Sequence, residues 1–209
     1  MFVVIRKTGL AGAPGQVIQR ARDHILPLVQ GRPGFLSYCG FVAEAGDAVV
    51  SVSIFVDRDS AMDAHHRVRD WIAANMRDLL PEEPEVAAGE AVFHAVAQPQ
   101  DQQTDQQRPL FIMLRTYTGL SGQTETMHSI VSERTLPAIT QAPGFRGFYA
   151  FRDEGDPNRA ISVTLFDSRE TALRSHEEVV GIMRETLEEL AYDPPHVLMG
   201  ETAVLAPAA

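Results

Sequence analysis

The 209-residue chain contains a single cysteine, Cys39. An intramolecular disulfide is therefore excluded, and the composition fits a reducing compartment. Cys39 lies within an apolar, strand-like run and reads as a buried, inert thiol. Positive charge is scarce: 18 Lys and Arg against 28 Asp and Glu leave a formal net charge of -10. Such a field repels a phosphate backbone, and no basic cluster reverses it locally, so nucleic acid is not an expected partner. No apolar run approaches the length that spans a bilayer. The run Met1 to Lys7 is too short for a signal peptide, and its charges follow the apolar residues instead of preceding them. A cytoplasmic protein with no membrane partner is expected. Missing too are a His-Glu-x-x-His helix, paired-Cys spacing, a Gly-rich loop ending in Lys-Ser/Thr and a nucleophile elbow. Neither a metal nor a cofactor is expected.

What the chain does have is itself, twice. Phe2-Val-Val-Ile-Arg6 recurs as Phe111-Ile-Met-Leu-Arg115, and Thr8-Gly-Leu-Ala-Gly12 as Thr118-Gly-Leu-Ser-Gly122. Pro33-Gly-Phe35 recurs as Pro143-Gly-Phe145, Ser51-Val-Ser-Ile-Phe55 as Ser162-Val-Thr-Leu-Phe166, and Gly89-Glu90 as Gly200-Glu201. The offset drifts only from 109 (Phe2 to Phe111) to 111 (Gly89 to Gly200). One folding unit has been duplicated and fused.

Each copy follows the order strand, helix, strand, strand, helix, strand. Residues 2–8 are apolar and β-branched, as strands are. From Pro14 to Val29, Val17, Ile18, Ala21, Ile25, Leu28 and Val29 fall at helical spacing, and Gly31, Pro33 and Gly34 stop the helix. Strands over 35–43 and 48–56 are joined by the turn Glu44-Ala-Gly-Asp47. Asp59 or Ser60 is placed to cap a second helix, with stripe Ala61, His65, Val68, Ile72 and Met76, which Pro81 and Pro84 end. A strand over 85–96 closes the copy. The second copy repeats this with strands at 110–117, 145–152, 160–167 and 196–205, and helices at 123–140 and 169–190. The expected organisation is a ferredoxin-like repeat over 1–97, a polar Gln- and Pro-rich linker over 98–109, and a second repeat over 110–209. Strands apolar on both faces imply cover on both sides. Two such sheets in one chain predict an α+β, intrachain pseudo-dimeric α/β barrel.

This pattern resembles the dimeric α/β barrel superfamily, and within it the antibiotic-biosynthesis-monooxygenase-like families, here as a tandem fusion. The resemblance rests on the Pro-Gly-Phe turns, on the aromatics Phe55 and Phe166 closing the third strand of each copy, and on Ala61-x-x-x-His65 and Ala172-x-x-x-His176. Many members carry Trp where Phe55 and Phe166 stand, and a second His near the positions of Asp70 and Gly181. The resemblance implies a cofactor-independent, monooxygenase-like enzyme with a small aromatic or apolar substrate between sheet and helices. The alternative is a non-catalytic protein that holds a small ligand in the same place.

His65 and His176 occupy matching positions on apolar helix stripes. They are the expected catalytic residues, managing protons. The plainer reading is a histidine bonded to a strand, and its persistence through duplication favours the cavity role. Arg6 and Arg115 are candidate anchors for a carboxylate or phenolate. For these two the preferred reading is solvent exposure or pairing with Glu90 and Glu201. Tyr38, Tyr149, Trp71 and His66 complete the expected substrate-binding set. Trp71 becomes Ile182 in the second copy and Tyr38 becomes Phe148, so the first copy is the expected working half. One chain should supply the barrel that relatives form from two, with further dimerisation possible through an exterior face or strand edge.

Overall fold

The computed structural model describes residues 1–97, 108–119, 124–186 and 194–207. Residues 98–107 of the expected 98–109 linker, the start at 123 of the expected 123–140 helix and the end at 187–190 of the expected 169–190 helix lie outside them. The first copy comprises β1 (Phe2–Gly9), α1 (Pro14–Arg20), a wide π-helical turn (Ala21–Ile25), α2 (Leu26–Gln30), β2 (Phe35–Val42), β3 (Ala48–Phe55), α3 (Arg58–Asn75) and β4 (Glu85–Val96). The second comprises β5 (Phe111–Tyr117), α4 (Thr124–Ile130), a second π turn (Val131–Thr135), α5 (Leu136–Gln141), β6 (Phe145–Arg152), β7 (Ala160–Phe166), α6 (Arg169–Thr186) and β8 (His196–Pro207). In the first unit the strands run in the order β4-β1-β3-β2-β8, and in the second β8-β5-β7-β6-β4, with β4 and β8 divided between the two. This is the α+β architecture that the repeat predicts.

Two compact units emerge, Met1–Ala91 with Gly200–Ala209, and Val92–Met199. The division runs through β4 and β8. In the first unit β1 pairs antiparallel with β3 (Phe2 opposite Phe55) and with β4 (Phe2 opposite Glu90). There β2 pairs with the end of β8, Phe41 opposite Thr202. The second unit repeats the central pairing, with Phe111 opposite Phe166.

The expected unbroken helices of 14–29 and 123–140 are in fact interrupted. Each breaks at the same place, one residue before Leu26-Pro27 and before Leu136-Pro137. Proline has no N–H to give the carbonyl four residues back, and its ring crowds that carbonyl. A π turn widens the helix there and accommodates the ring. The α3 cap is Asp57, not the expected Asp59 or Ser60: the Ser60 N–H donates to Asp57 Oδ1 at 2.8 Å. The helix ends at Asn75, with Met76 fully buried, well before Pro81. Both Pro-Gly-Phe turns place glycine in the left-handed region, Gly34 at φ 70 and Gly144 at φ 73, where a Cβ would be strained. Each turn lets its glycine carbonyl accept from the residue after β3 or β7, Val56 and Asp167, both at 2.8 Å.

Each unit has its own core between helices and sheet. In the first, Phe2, Val4, Val17, Val29, Phe55 and Val68 pack together; in the second, Phe111, Met113, Ile139, Phe166 and Val179. Val3 and Val4 are both fully buried, so β1 is covered on both faces as expected.

Candidate functional site

Arg6 stands on β1 opposite Ser51 of β3, on the face that meets α3. It is buried. Its Nε–H donates to His65 Nδ1 at 3.0 Å, and its Nη1 donates to Ser53 Oγ, also at 3.0 Å. The Ser53 hydroxyl in turn donates to the Val4 carbonyl at 3.4 Å. The second unit repeats this arrangement. Arg115, 1% exposed, donates through Nε to His176 Nδ1 at 3.1 Å and through Nη1 to Thr164 Oγ1 at 3.0 Å, and Thr164 bonds the Met113 carbonyl.

An imidazole nitrogen that accepts a hydrogen bond carries no proton, so each histidine holds its proton on Nε2. Burial, then the Arg6 charge and the neighbouring His66, pushes His65 down to about 4. His176 is lowered by burial and then by Arg115. Both are neutral near neutral pH. Desolvation lowers Arg6 to about 10, which leaves it charged.

Each unit has a cavity between sheet and helices. The first has a volume of about 40 Å³ and is lined by Arg6, Thr8, Tyr38, Gly40 and Ser51, with apolar residues that include Ile18, Ile25 and Val68. The second has a volume of about 80 Å³ and is lined by Arg115, Tyr117, His128, Thr135 and Ser162, with Phe93, Met127, Ile139, Phe148 and Val179 among the apolar residues. The positions correspond: the π turns contribute Ala21 and Ile25 to one, Val131 and Thr135 to the other. Two second-unit positions are more polar than their counterparts, His128 for Ile18 and Thr135 for Ile25. One is less polar, Phe148 for Tyr38. Tyr117 takes the strand position of Thr8, two residues beyond the arginine in each case and one residue before the Thr118 that matches Thr8 in sequence.

The phenol survives this exchange by moving to another strand. Tyr38 on β2 is hydrogen-bonded to Ser51 and lies near Arg6. Tyr117 on β5 is hydrogen-bonded to Ser162 and lies near Arg115. Burial raises both phenols, Tyr38 to about 12, so each keeps its proton. Gly40 lies beside the phenol: a Cβ there would make an ordinary contact, 3.6 Å from its oxygen.

The antibiotic biosynthesis monooxygenase family model matches residues 110–179. The match falls within the second copy and covers about a third of the chain. The matched span holds Arg115, Thr164 and His176, and most of the larger cavity. Among solved structures, a candidate monooxygenase from Fusobacterium nucleatum superposes with a TM-score of 0.81 at 8% identity, covering 99% of this chain and 94% of that one. A candidate monooxygenase from Lactobacillus acidophilus gives 0.77 at 12%, covering 100% and 96%. An anthrone oxidase-like protein gives 0.62 at 11%, covering 100% and 93%. At these identities the likeness is one of fold. No curated protein matches the chain.

Within this fold the expected site residues separate. Arg6 with His65, and Arg115 with His176, come together. Both arginines are buried, contrary to the preferred reading of solvent exposure, because the strand face they occupy is covered by α3 and α6. Tyr38 lines the first cavity. Tyr149 is buried but sits next to Phe148 in β6, and strand alternation turns it to the opposite face from that cavity-lining residue. Trp71 stacks on His24 at 5.0 Å, and His66 is exposed with its ring 5.5 Å from His65; neither lines either of these two cavities. Ser53, Thr164, Tyr117, His128, Ser51 and Ser162 were not anticipated. The hydroxyls were visible in the repeat Ser51-Val-Ser53 and Ser162-Val-Thr164, where hydroxyls persist among apolar residues. Cys39 is buried and its thiol is pushed up to about 12, as suits an inert group. Among the described residues no three His, Cys, Asp or Glu side chains gather as metal ligands, and no helix is long and apolar enough to cross a membrane.

Proposed function

We propose that this chain is a cofactor-independent, monooxygenase-like oxidoreductase whose second cavity binds a small aromatic or enolic substrate as its anion. One observation carries the reading: a buried guanidinium, Arg115, lies in the wall of an otherwise largely apolar cavity together with a protonated phenol, Tyr117. Few polar groups converging in an apolar pocket are the mark of a ligand site. A fixed cation and donor in a water-poor cavity stabilise a developing oxyanion far better than water does. His176 and Thr164 hold the guanidinium in place. With its Nδ1 already bonded, His176 is a positioning residue, and so is His65 in the first unit. The imidazole that lines the cavity is His128, and it is the group we assign to accept the substrate proton.

The reaction needs no outside reductant. A substrate CH2 made acidic by a neighbouring carbonyl or ring loses a proton, and the carbanion gives one electron to O2. The two radicals combine as a hydroperoxide, which loses water to leave C=O. The carbon supplies all four electrons that reduce O2, one oxygen atom staying on carbon and the other leaving as water. A volume of about 80 Å³ is about half that of an engineered cavity of roughly 150 Å³ that admits benzene. A single ring therefore enters only as the π turn gives, and anything larger is excluded. The lone buried thiol suits the reducing cytoplasm.

The test is oxygen uptake with a panel of single-ring phenols and cyclic 1,3-diketones, with Arg115→Met and His128→Ala as variants. Turnover should consume one O2 per product and fall in both variants. The second reading, a non-catalytic binder, is favoured by the occupied Nδ1 of both buried histidines. Saturable binding of a panel member without oxygen uptake would establish it.

A further inference from the structure

The first unit's cavity contains a cation for which the described residues supply no counter-charge. Arg6 makes no ion pair among them, and the only charge-bearing neighbour that affects it is Tyr38, a phenol that keeps its proton. Its Nε and Nη1 are used on neutral partners, His65 and Ser53. Its Nη2, fully buried, has no hydrogen-bond partner. The contrast with less deeply covered arginines is plain: Arg146 faces Asp167 at 2.5 Å, and Arg159 faces Asp153. A charge taken out of water with neither counter-ion nor a full set of acceptors is strongly disfavoured.

The cavity beside Arg6 has a volume of about 40 Å³. A water molecule's share of liquid is about 30 Å³, so the space suits a very small species and excludes a ring. We infer that this cavity is a binding site for a small monovalent anion, of halide to formate size, held by the Arg6 guanidinium and the Tyr38 hydroxyl. Thr8, which also lines it, offers a further hydroxyl donor, and Ser51 is left to bond the phenol. The site is separate from the substrate cavity of the second unit and does not depend on that cavity being catalytic. The duplication has thus produced two cavities around one arginine device, the second about twice the volume of the first.

The test is thermal unfolding of the full chain at constant ionic strength, with sodium chloride or sodium formate replacing sodium gluconate, whose anion is too large to enter. A ligand that binds only the folded state raises Tm with saturation. Chloride and formate should each give a saturable rise in the wild type, and Arg6→Gln should abolish it. Equal Tm in all three salts, or a full response in Arg6→Gln, would overturn the proposal. Should Arg6→Gln not fold, Gly40→Ala serves. Its Cβ would meet the Tyr38 oxygen at 3.6 Å and Val204 Cβ at 3.8 Å, ordinary contacts that leave the fold intact while narrowing the cavity. The midpoint anion concentration should rise severalfold in Gly40→Ala, and an unchanged midpoint refutes the assignment. Oxygen uptake reports on the other cavity, so the two readings fail independently.

Discussion

Acid should weaken this protein in a pH window set by its buried histidines. His65 is held down to about 4 in the folded chain, against 6.5 for a free imidazole. Between those values the unfolded chain binds a proton that the folded chain refuses. Stability is therefore full above about pH 6.5 and falls as pH drops toward about 4. From about pH 7 to about pH 4.5 the two-state proton linkage gives a loss of about 2 kcal/mol for this one group, allowing for some solvent screening. His176 is shifted in the same direction and adds to the slope. Asp57, Asp63 and Asp78 are held below their ordinary value of 3.8 by hydrogen bonds from Ser60, Arg67 and Arg20 respectively. Their contributions are lost only at lower pH, so the window isolates the histidines. The assay is urea unfolding at steps across that range. His65→Gln keeps an oxygen that accepts from Arg6 Nε but does not titrate. It should flatten part of the slope, and the double variant with His176→Gln should flatten more. A His65→Gln slope equal to that of the wild type would refute the placement of the Arg6–His65 pair.

Other expectations concern packing and backbone. Ser53→Ala strips the acceptor 3.0 Å from Arg6 Nη1 and should cost about 1–3 kcal/mol in chemical denaturation, whereas Ser53→Thr copies Thr164 and should be close to neutral. Gly200→Ala would set a Cβ 2.4 Å from the Val42 carbonyl oxygen; a loss of about 1–3 kcal/mol is expected, and a wild-type midpoint would show that β8 does not pass β2 this closely. Gly144→Ala places a side chain at φ 73 and should destabilise by about 1–2 kcal/mol. Pro137→Ala restores an N–H able to reach the Glu133 carbonyl. Slow hydrogen exchange at residue 137 is expected, and fast exchange would mean that proline is not what widens the turn.

The repeat makes much of the fold legible in the residues alone. Element order, the Pro-Gly-Phe turns and the double-faced burial of β1 follow from local pattern, because strand and helix periods are properties of neighbours in sequence. The breaks before Leu26-Pro27 and Leu136-Pro137 are legible too, since both helices carry proline in the same place, but apolar periodicity alone runs straight through them. The site is legible only as residue types. That Arg6 and His65 matter follows from their survival through duplication; that they bond each other, 59 positions apart, does not.

The sequence by itself determined the duplicated α+β unit, the acidic surface and the candidate residues on each strand and helix. Tertiary structure decided the rest. It folded the ends of β4 and β8 into the opposite units, turned two expected bases into acceptors for buried arginines, and moved the phenol from β2 in one unit to β5 in the other. It also made the second cavity about twice the volume of the first. A cavity's size and a buried group's charge state depend on every side chain packed around them, and those neighbours come from all parts of the chain.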